Sequence, residues 1–137
     1  MSDPSAKFTR GMAVRRHVLG AAHVDAAIAG TTPFTADFQE LITETAWGEV
    51  WSRPALSLRE RSMITIALLA ALGHDDEVAM HVRATRNTGA SMEDVREALL
   101  HVAIYAGVPA ANHAFKIAAQ VYQDMRREGN GQEDDHA

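Results

Sequence analysis

The chain has 137 residues, 47% of them apolar, which suits one domain with one hydrophobic core. Its formal charge of -5, pI near 5.7 and lack of any lysine- or arginine-rich block argue against nucleic acid as a partner. There is no cysteine, so disulfides, thiolate metal sites and thiol redox chemistry by this chain are excluded. The longest apolar run, Ile64 to Leu72, falls short of the roughly 18 residues that a membrane span needs. MSDPSAKFTR lacks a secretory apolar segment, so the expected location is the cytoplasm.

Helical spacing dominates the chain and strand alternation is nearly absent. Residues 11–29 read as one or two short helices, interrupted near Gly20. Thr32–Pro33 reads as a cap followed by proline at the first helical position. The helix it opens runs through FTADFQELITETAWGEVW, where Phe34, Phe38, Leu41, Ile42 and Trp47 recur at three- and four-residue steps. Trp47 and Trp51, four apart, share a face, a pattern commoner in cores and interfaces than around ligands.

Pro54 breaks the chain, and Ser57-Leu-Arg-Glu60 forms a capping box that opens the next helix. The segment MITIALLAAL is apolar on almost every face and is expected to be the central, buried helix, ended by Gly73. Asp75 or Asp76 is expected to cap a helix over about Glu77 to Asn87 that stops at Gly89. Ser91-Met-Glu-Asp94 starts another, through Tyr105. Gly107 and Pro109 punctuate, and the last helix carries AANHAFKIAAQVYQDMRR.

The expectation is therefore a single all-α domain over 1–137 with about six or seven helices and flexible segments at 1–9 and 129–137. Alanine is used heavily, at Ala67, Ala70, Ala71, Ala103, Ala106, Ala110, Ala111, Ala118 and Ala119. Small residues bury little area each, so a partner subunit is expected to complete the core.

Three constellations could carry chemistry. In GHDDEVAMH, Glu77 and His81 are four apart on one helical face, so a carboxylate can hold the imidazole's tautomer and favour its charged form. The bland alternative is two capping aspartates, a solvated glutamate and a half-buried histidine. A metal site would need His74, His101 or His113 to join that face, and HDDEVAMH is not HExxH.

The arginines Arg53, Arg59, Arg61, Arg83 and Arg86 form the second set, suited to a substrate with carboxylates because guanidinium binds them bidentately. Arg83 lies two positions past His81, about 200° around the helix, so it would be a surface residue or reach across a subunit interface. The third set is AWGEVW together with YAGVPAANHAF, whose Gly–Pro entry leads to a helix start at Asn112 and His113 where amides can receive an anion. No P-loop, dinucleotide glycine pattern or Ser-His-Asp order is present.

Taken in order, GMAVRRHVLG, FQELITETAWGEVWSRPALSLRERSMITIALLAALG, HDDEVAMHVRATRNTGAS and HVAIYAGVPAANHAF resemble the γ-carboxymuconolactone decarboxylase family from about Gly11 to Tyr122. The most specific pieces are AWGEVWSRP, EVAMHVRA and YAGVPAAN. The resemblance implies an alkyl hydroperoxidase D-like helical bundle assembled as a trimer or hexamer. It also implies cofactor-independent decarboxylation of 4-carboxymuconolactone, a lactone dicarboxylate, to β-ketoadipate enol-lactone in the protocatechuate branch of the β-ketoadipate pathway.

Peroxidase relatives carry CxxCxxxH; here His74 and Glu77 stand at the cysteine positions and His81 keeps the histidine. The relatives' relay glutamate falls on Ser62, with Glu60 two residues earlier. On this resemblance His81 is the proton donor oriented by Glu77. Arg53, Arg61 and Arg83 are carboxylate binders, and Trp47, Trp51 and Tyr105 are pocket walls. The competing expectations are a non-catalytic ligand-binding or scaffold member of the fold, an enzyme for a related lactone, and a metal-dependent hydrolase using His74, Glu77 and His81.

Overall fold

The computed structural model describes residues 3–134, with side chains through residue 129. Among the described residues there are seven α-helices, one π-helical segment and no strand. They are α1 (Ala6–Leu19), α2 (Ala21–Ala29), α3 (Ala36–Ile42), the π segment (Thr43–Trp51), α4 (Leu58–Leu72), α5 (Asp75–Thr88), α6 (Met92–Tyr105) and α7 (Val108–Asp134). The all-α expectation therefore holds. The chain divides into two compact units, Met1–Leu58 and Arg59–Ala137. The expected flexible segments overlap regular structure, since α1 starts at Ala6 and α7 runs to Asp134. Residues 1–2 and 135–137 lie outside the described residues.

In the first unit, Ser5 caps α1 by accepting from the Phe8 amide at 3.0 Å. Gly20, at φ 93°, turns the chain between α1 and α2, where the sequence indicated a break. The next helix starts later than its spacing indicates, at Ala36. Thr32 and Thr35 close a turn first: the Thr35 amide donates to Thr32 O at 3.0 Å, and the Thr32 amide to Thr35 Oγ1 at 2.9 Å. Phe34, Phe38 and Leu41, expected on a buried stripe, are exposed.

From Thr43 the helix widens to π geometry, and side-chain hydroxyls mark the change. Thr43 Oγ1 donates to Gln39 O at 2.7 Å, Thr45 Oγ1 to Leu41 O at 2.6 Å, and Ser52 Oγ to Gly48 O at 2.6 Å. At the junction the Thr43 amide also donates to Gln39 O, so the hydroxyl shares that carbonyl with the backbone.

α1 packs on this π segment at backbone distance. A Cβ on Gly11 would sit 1.9 Å from Thr43 O, and one on Gly48 would sit 2.4 Å from Lys7 O. Only glycine fits at either place. Arg10 Nε donates to Gly48 O at 3.0 Å, and a Lys7–Glu49 ion pair closes the same seam at the surface.

In the second unit, the core is Ile66, Ala70, Val78, Val82, Val95, Leu99, Val102, Ala111, Ala114, Ala118 and Val121. α7 packs against both α5 and α6, and its alanines recur at three- and four-residue steps, which lets the helices approach closely. α4 differs from its expected full burial. It buries Ser62, Ile66 and Ala70, while Ile64, Leu68 and Leu72 are exposed. One small-residue core has room for only one stripe of this helix.

α5 begins at Asp75 with His74, rather than an aspartate, at its N-cap. Asp75, Asp76 and Glu77 fill its first turn, where the helix dipole favours negative charge. Gly89 ends it at φ 86°, its amide donating to Thr85 O at 3.0 Å. α6 opens with a reciprocal capping box: Asp94 N donates to Ser91 Oγ at 3.0 Å, and Ser91 N to Asp94 Oδ2 at 2.9 Å. The Asp94 carboxylate also receives Arg59 Nε and Nη2, both at 2.7 Å.

The seam predicts that Gly11→Ala and Gly48→Ala each destabilise the protein by about 3 kcal/mol or more, the upper range for overpacking, because backbone and not a flexible side chain must move. Urea unfolding measures it; a loss under about 0.5 kcal/mol would show that the seam relaxes. Arg59 chiefly, with the Ser91 amide, holds the Asp94 carboxyl well below the usual carboxylate range. Its stabilisation is complete above the unfolded value of about 3.9 and is lost as pH falls through the folded value. In Asp94→Asn, stability should fall less on acidification from about pH 5 to pH 2 than in the parent, converging with it at the acid end. Parallel curves would contradict this.

Candidate active site

The site residues expected on α5 take distinct environments. His81 is buried at 6% exposure, flanked along the helix by buried Val78, Val82 and Thr85. Glu77, one turn earlier, is exposed, and among the described residues its carboxylate makes no hydrogen bond or ion pair. A glutamate side chain on that turn has solvent-side freedom, whereas the imidazole does not. His74 is also exposed. Among the described residues no three His, Cys, Asp or Glu side chains are grouped to hold a metal ion, so His74, Glu77 and His81 do not converge as ligands.

His113 serves a separate contact. Its Nε2 lies 2.7 Å from Asp75 Oδ2, tying the first turn of α7 to the first turn of α5. A small cavity of about 170 Å³ adjoins this clasp, lined by Ala70, Gly73, Val78 and Ala110 among others.

The three candidate arginines also differ. Arg61, on α4, is half-buried. Arg53, just past the π segment, is exposed, with its amide donating to Val50 O at 3.2 Å. Arg83 is half-buried, and its Nη1 donates to both Glu128 oxygens at 3.0 and 2.9 Å. A carboxylate is thus already the partner that Arg83 selects. Of the remaining arginines singled out in sequence, Arg59 is held by Asp94, and Arg86 lies 4.0 Å from Glu128.

Trp47 and Trp51 are both buried on the π segment, ring centroids 5.0 Å apart and tilted by 33°. The shared face expected from their spacing is real. Tyr105 is 82% exposed and stacks on His101 at 5.5 Å.

Two features escaped the sequence reading. Ser62 is fully buried and donates to Thr88 Oγ1 at 2.7 Å, so the position expected to align with a relay glutamate holds a neutral hydroxyl bonded within the core. Arg15 is a buried arginine on α1. Its register was the available signal: Gly11, Arg15 and Val18 are the buried positions of that helix, at the four- and three-residue steps of an apolar face.

The architecture and the buried imidazole define an all-α protein whose candidate chemistry rests on one histidine and a set of arginines. The chain belongs to the carboxymuconolactone decarboxylase family, which its residues 36–120 match. It is 44% identical over 119 residues to 4-carboxymuconolactone decarboxylase of Acinetobacter baylyi, covering 87% of this chain and 89% of that one. It is 40% identical over 122 residues to a nitrosuccinic acid decarboxylase of Metarhizium robertsii, covering 89% and 85%. A 4-carboxymuconolactone decarboxylase of Pseudomonas putida is 45% identical over 47 residues, 34% of this chain and 98% of that one.

Ser62→Ala should cost about 1–3 kcal/mol, because Thr88 keeps a buried hydroxyl without its donor. Double substitution with Thr88→Val should recover part of that loss in urea melts; simple additivity would show that the two hydroxyls are not coupled.

Proposed function

We propose that the chain is a carboxy-lyase that converts 4-carboxymuconolactone to β-ketoadipate enol-lactone in the protocatechuate branch of the β-ketoadipate pathway. It acts in the cytoplasm, without a cofactor, as a trimer or hexamer. The observation that carries this reading is 44% identity to the Acinetobacter decarboxylase over 87% of the chain, and the burial of His81 on α5 is in keeping with it. The exposed stripe Ile64, Leu68 and Leu72 on α4 supports self-association, as does the exposed apolar face of α3. No helix among the described residues is long and apolar enough to cross a membrane.

The substrate supplies its own electron sink. Its γ carbon carries a carboxylate and an acetate arm, and the adjacent ring alkene is conjugated to the lactone carbonyl. Breaking the bond between the γ carbon and the carboxylate releases carbon dioxide. The bonding pair passes through the alkene to the carbonyl oxygen, giving a dienolate. A proton delivered to the α carbon then gives the β,γ-unsaturated enol-lactone. Charge leaves the carboxylate and spreads over the ring, so a poorly solvated carboxylate site and hydrogen-bond donors at the lactone oxygen both lower the barrier.

His81 delivers the proton, with Glu77 closing on it once substrate excludes solvent from that turn. Arg53, Arg61 and Arg83 hold the acetate arm and the departing carboxylate. Arg83 does so by exchanging Glu128 for substrate, an exposed pair of the kind that is readily broken. Trp47, Trp51 and Tyr105 supply apolar walls. A second reading, decarboxylation of a different activated acid, is favoured by the 40% identity to the nitrosuccinic acid decarboxylase. A nitro group is likewise an internal electron sink, so the same proton donor would serve.

Purified protein with chelator present should turn over 4-carboxymuconolactone, and His81→Ala should lose a factor of about 10² to 10⁴ in kcat while keeping its fold and assembly. Glu77→Gln should lose less and move the alkaline limb of the pH–rate profile to lower pH, because the proton donor loses its carboxylate partner. Absent wild-type turnover on the lactone, with turnover on nitrosuccinate, would select the second reading. Full activity in a correctly folded His81→Ala variant would reject His81 as the donor.

A further inference from the structure

The first unit contains a cavity of about 750 Å³ between the N-terminal part of α1, the end of α2, and α3 with the start of the π segment. That volume lies in the range of small-molecule sites. Phe8, Met12 and Ile28 contribute apolar surface, and Arg15 supplies a cation from the wall.

Arg15 is 6% exposed. Its Nη1 donates to Thr43 Oγ1 at 3.2 Å and its Nη2 to Gln39 Oε1 at 3.1 Å, both neutral acceptors. Its Nε meets no acceptor among the described residues, although it is buried, and no carboxylate there forms an ion pair with the guanidinium. A buried guanidinium satisfied only by neutral oxygens is expensive to hold, and desolvation lowers its pKa from the ordinary value. An arginine retained at such a position keeps one donor, the Nε–H, unfilled, and a charged acceptor such as a carboxylate oxygen suits it best.

We propose that this cavity is a binding site for a small organic monocarboxylate, anchored through the Nε–H of Arg15 with its apolar body against Phe8, Met12 and Ile28. Asp3, Glu40 and Glu44 also line the cavity. Their charge disfavours inorganic polyanions and dicarboxylates, so the ligand carries one carboxylate and a hydrophobic remainder. This inference stands apart from the decarboxylation, since none of the residues assigned to that reaction lines the cavity.

Benzoate is the probe, with benzamide as its uncharged counterpart and phthalate as its dianion, titrated into nitrogen-15-labelled full-length protein. The Arg15 Nε–H resonance, assigned by its absence in Arg15→Met, should shift with benzoate, stay in place with benzamide and respond about tenfold more weakly to phthalate. Arg15→Met should bind benzoate about tenfold or more weakly. Ala36→Trp leaves the guanidinium in place but fills space beside exposed Ala36, and should also weaken binding if Arg15→Met fails to fold. An unmoved Nε–H in the wild type, or undiminished benzoate binding in the folded variants, would overturn the proposal. Benzoate that competes with turnover would overturn the proposal of a site apart from the reaction, and benzoate that binds without competing would support it. The decarboxylation fails on its own assay, through His81→Ala, without altering any of these outcomes.

Discussion

The first unit depends on one steric constraint, the contact of α1 with the π segment at backbone distance. Gly11 and Gly48 permit it because each faces a carbonyl that would exclude a Cβ. The close approach has a second effect one turn further along α1. With the helix held against Thr43, Arg15 has its Nη1 at the Thr43 hydroxyl and its Nη2 at Gln39, and the guanidinium is buried instead of reaching solvent as most arginines do. The same Thr43 hydroxyl also donates back to Gln39 O, at the point where the helix widens. Seam, π geometry and buried cation are therefore linked through a few atoms of Thr43.

The second unit solves a different problem, the burial of a titratable ring in a core of small residues. Valine and alanine leave helices α5, α6 and α7 close together, and His81 occupies a position on α5 between Val78 and Thr85 that the helix period turns inward. Polar groups enter that core with specified partners where they are neutral, as Ser62 and Thr88 show. At its rim the charges are paired across elements: Arg59 with Asp94, His113 with Asp75, and Arg83 with Glu128. Such exposed pairs stabilise little individually. They instead orient helix starts and tie α5 to α7 through Arg83 and Glu128.

Much of this was legible in the sequence. Gly20, Gly73 and Gly89 mark the chain reversals they were read as, because a positive φ leaves few alternatives to glycine. The Ser91–Asp94 box opens α6 as its spacing indicates. Failures came where several local signals competed. Thr32–Pro33 was read as a helix start, but Thr32 and Thr35, three apart, satisfied each other, and the helix begins at Ala36. The π segment is invisible to a 3.6-residue period, which reads the Trp47–Trp51 face but not the widening of the helix beneath it. α4 is apolar almost all round, which indicates that its faces want cover, but not that this chain's own residues provide it. At the candidate site, the histidine and its spacing to Glu77 could be read. Burial separates the two residues in a way that spacing does not encode, and Arg15 was hidden by the habit of assigning arginine to solvent.

The proposed reaction explains why so modest a core can suffice. When the substrate's own conjugated carbonyl accepts the electron pair, the protein need not carry a metal or an organic electron sink, nor the elaborate shell such a group requires. What remains is to hold carboxylates, exclude water from one of them and deliver one proton. Those tasks need cations on long side chains, apolar walls and a single buried acid whose pKa lies near neutrality. An imidazole suits the last task better than a carboxyl does, because its ordinary pKa of about 6.5 already lies near neutrality, whereas a carboxyl's lies about two units lower. In the proposed reaction a ligand that displaces water around exposed Glu77 strengthens its pull on the proton donor one turn away, because opposite charges attract more strongly as their surroundings dry.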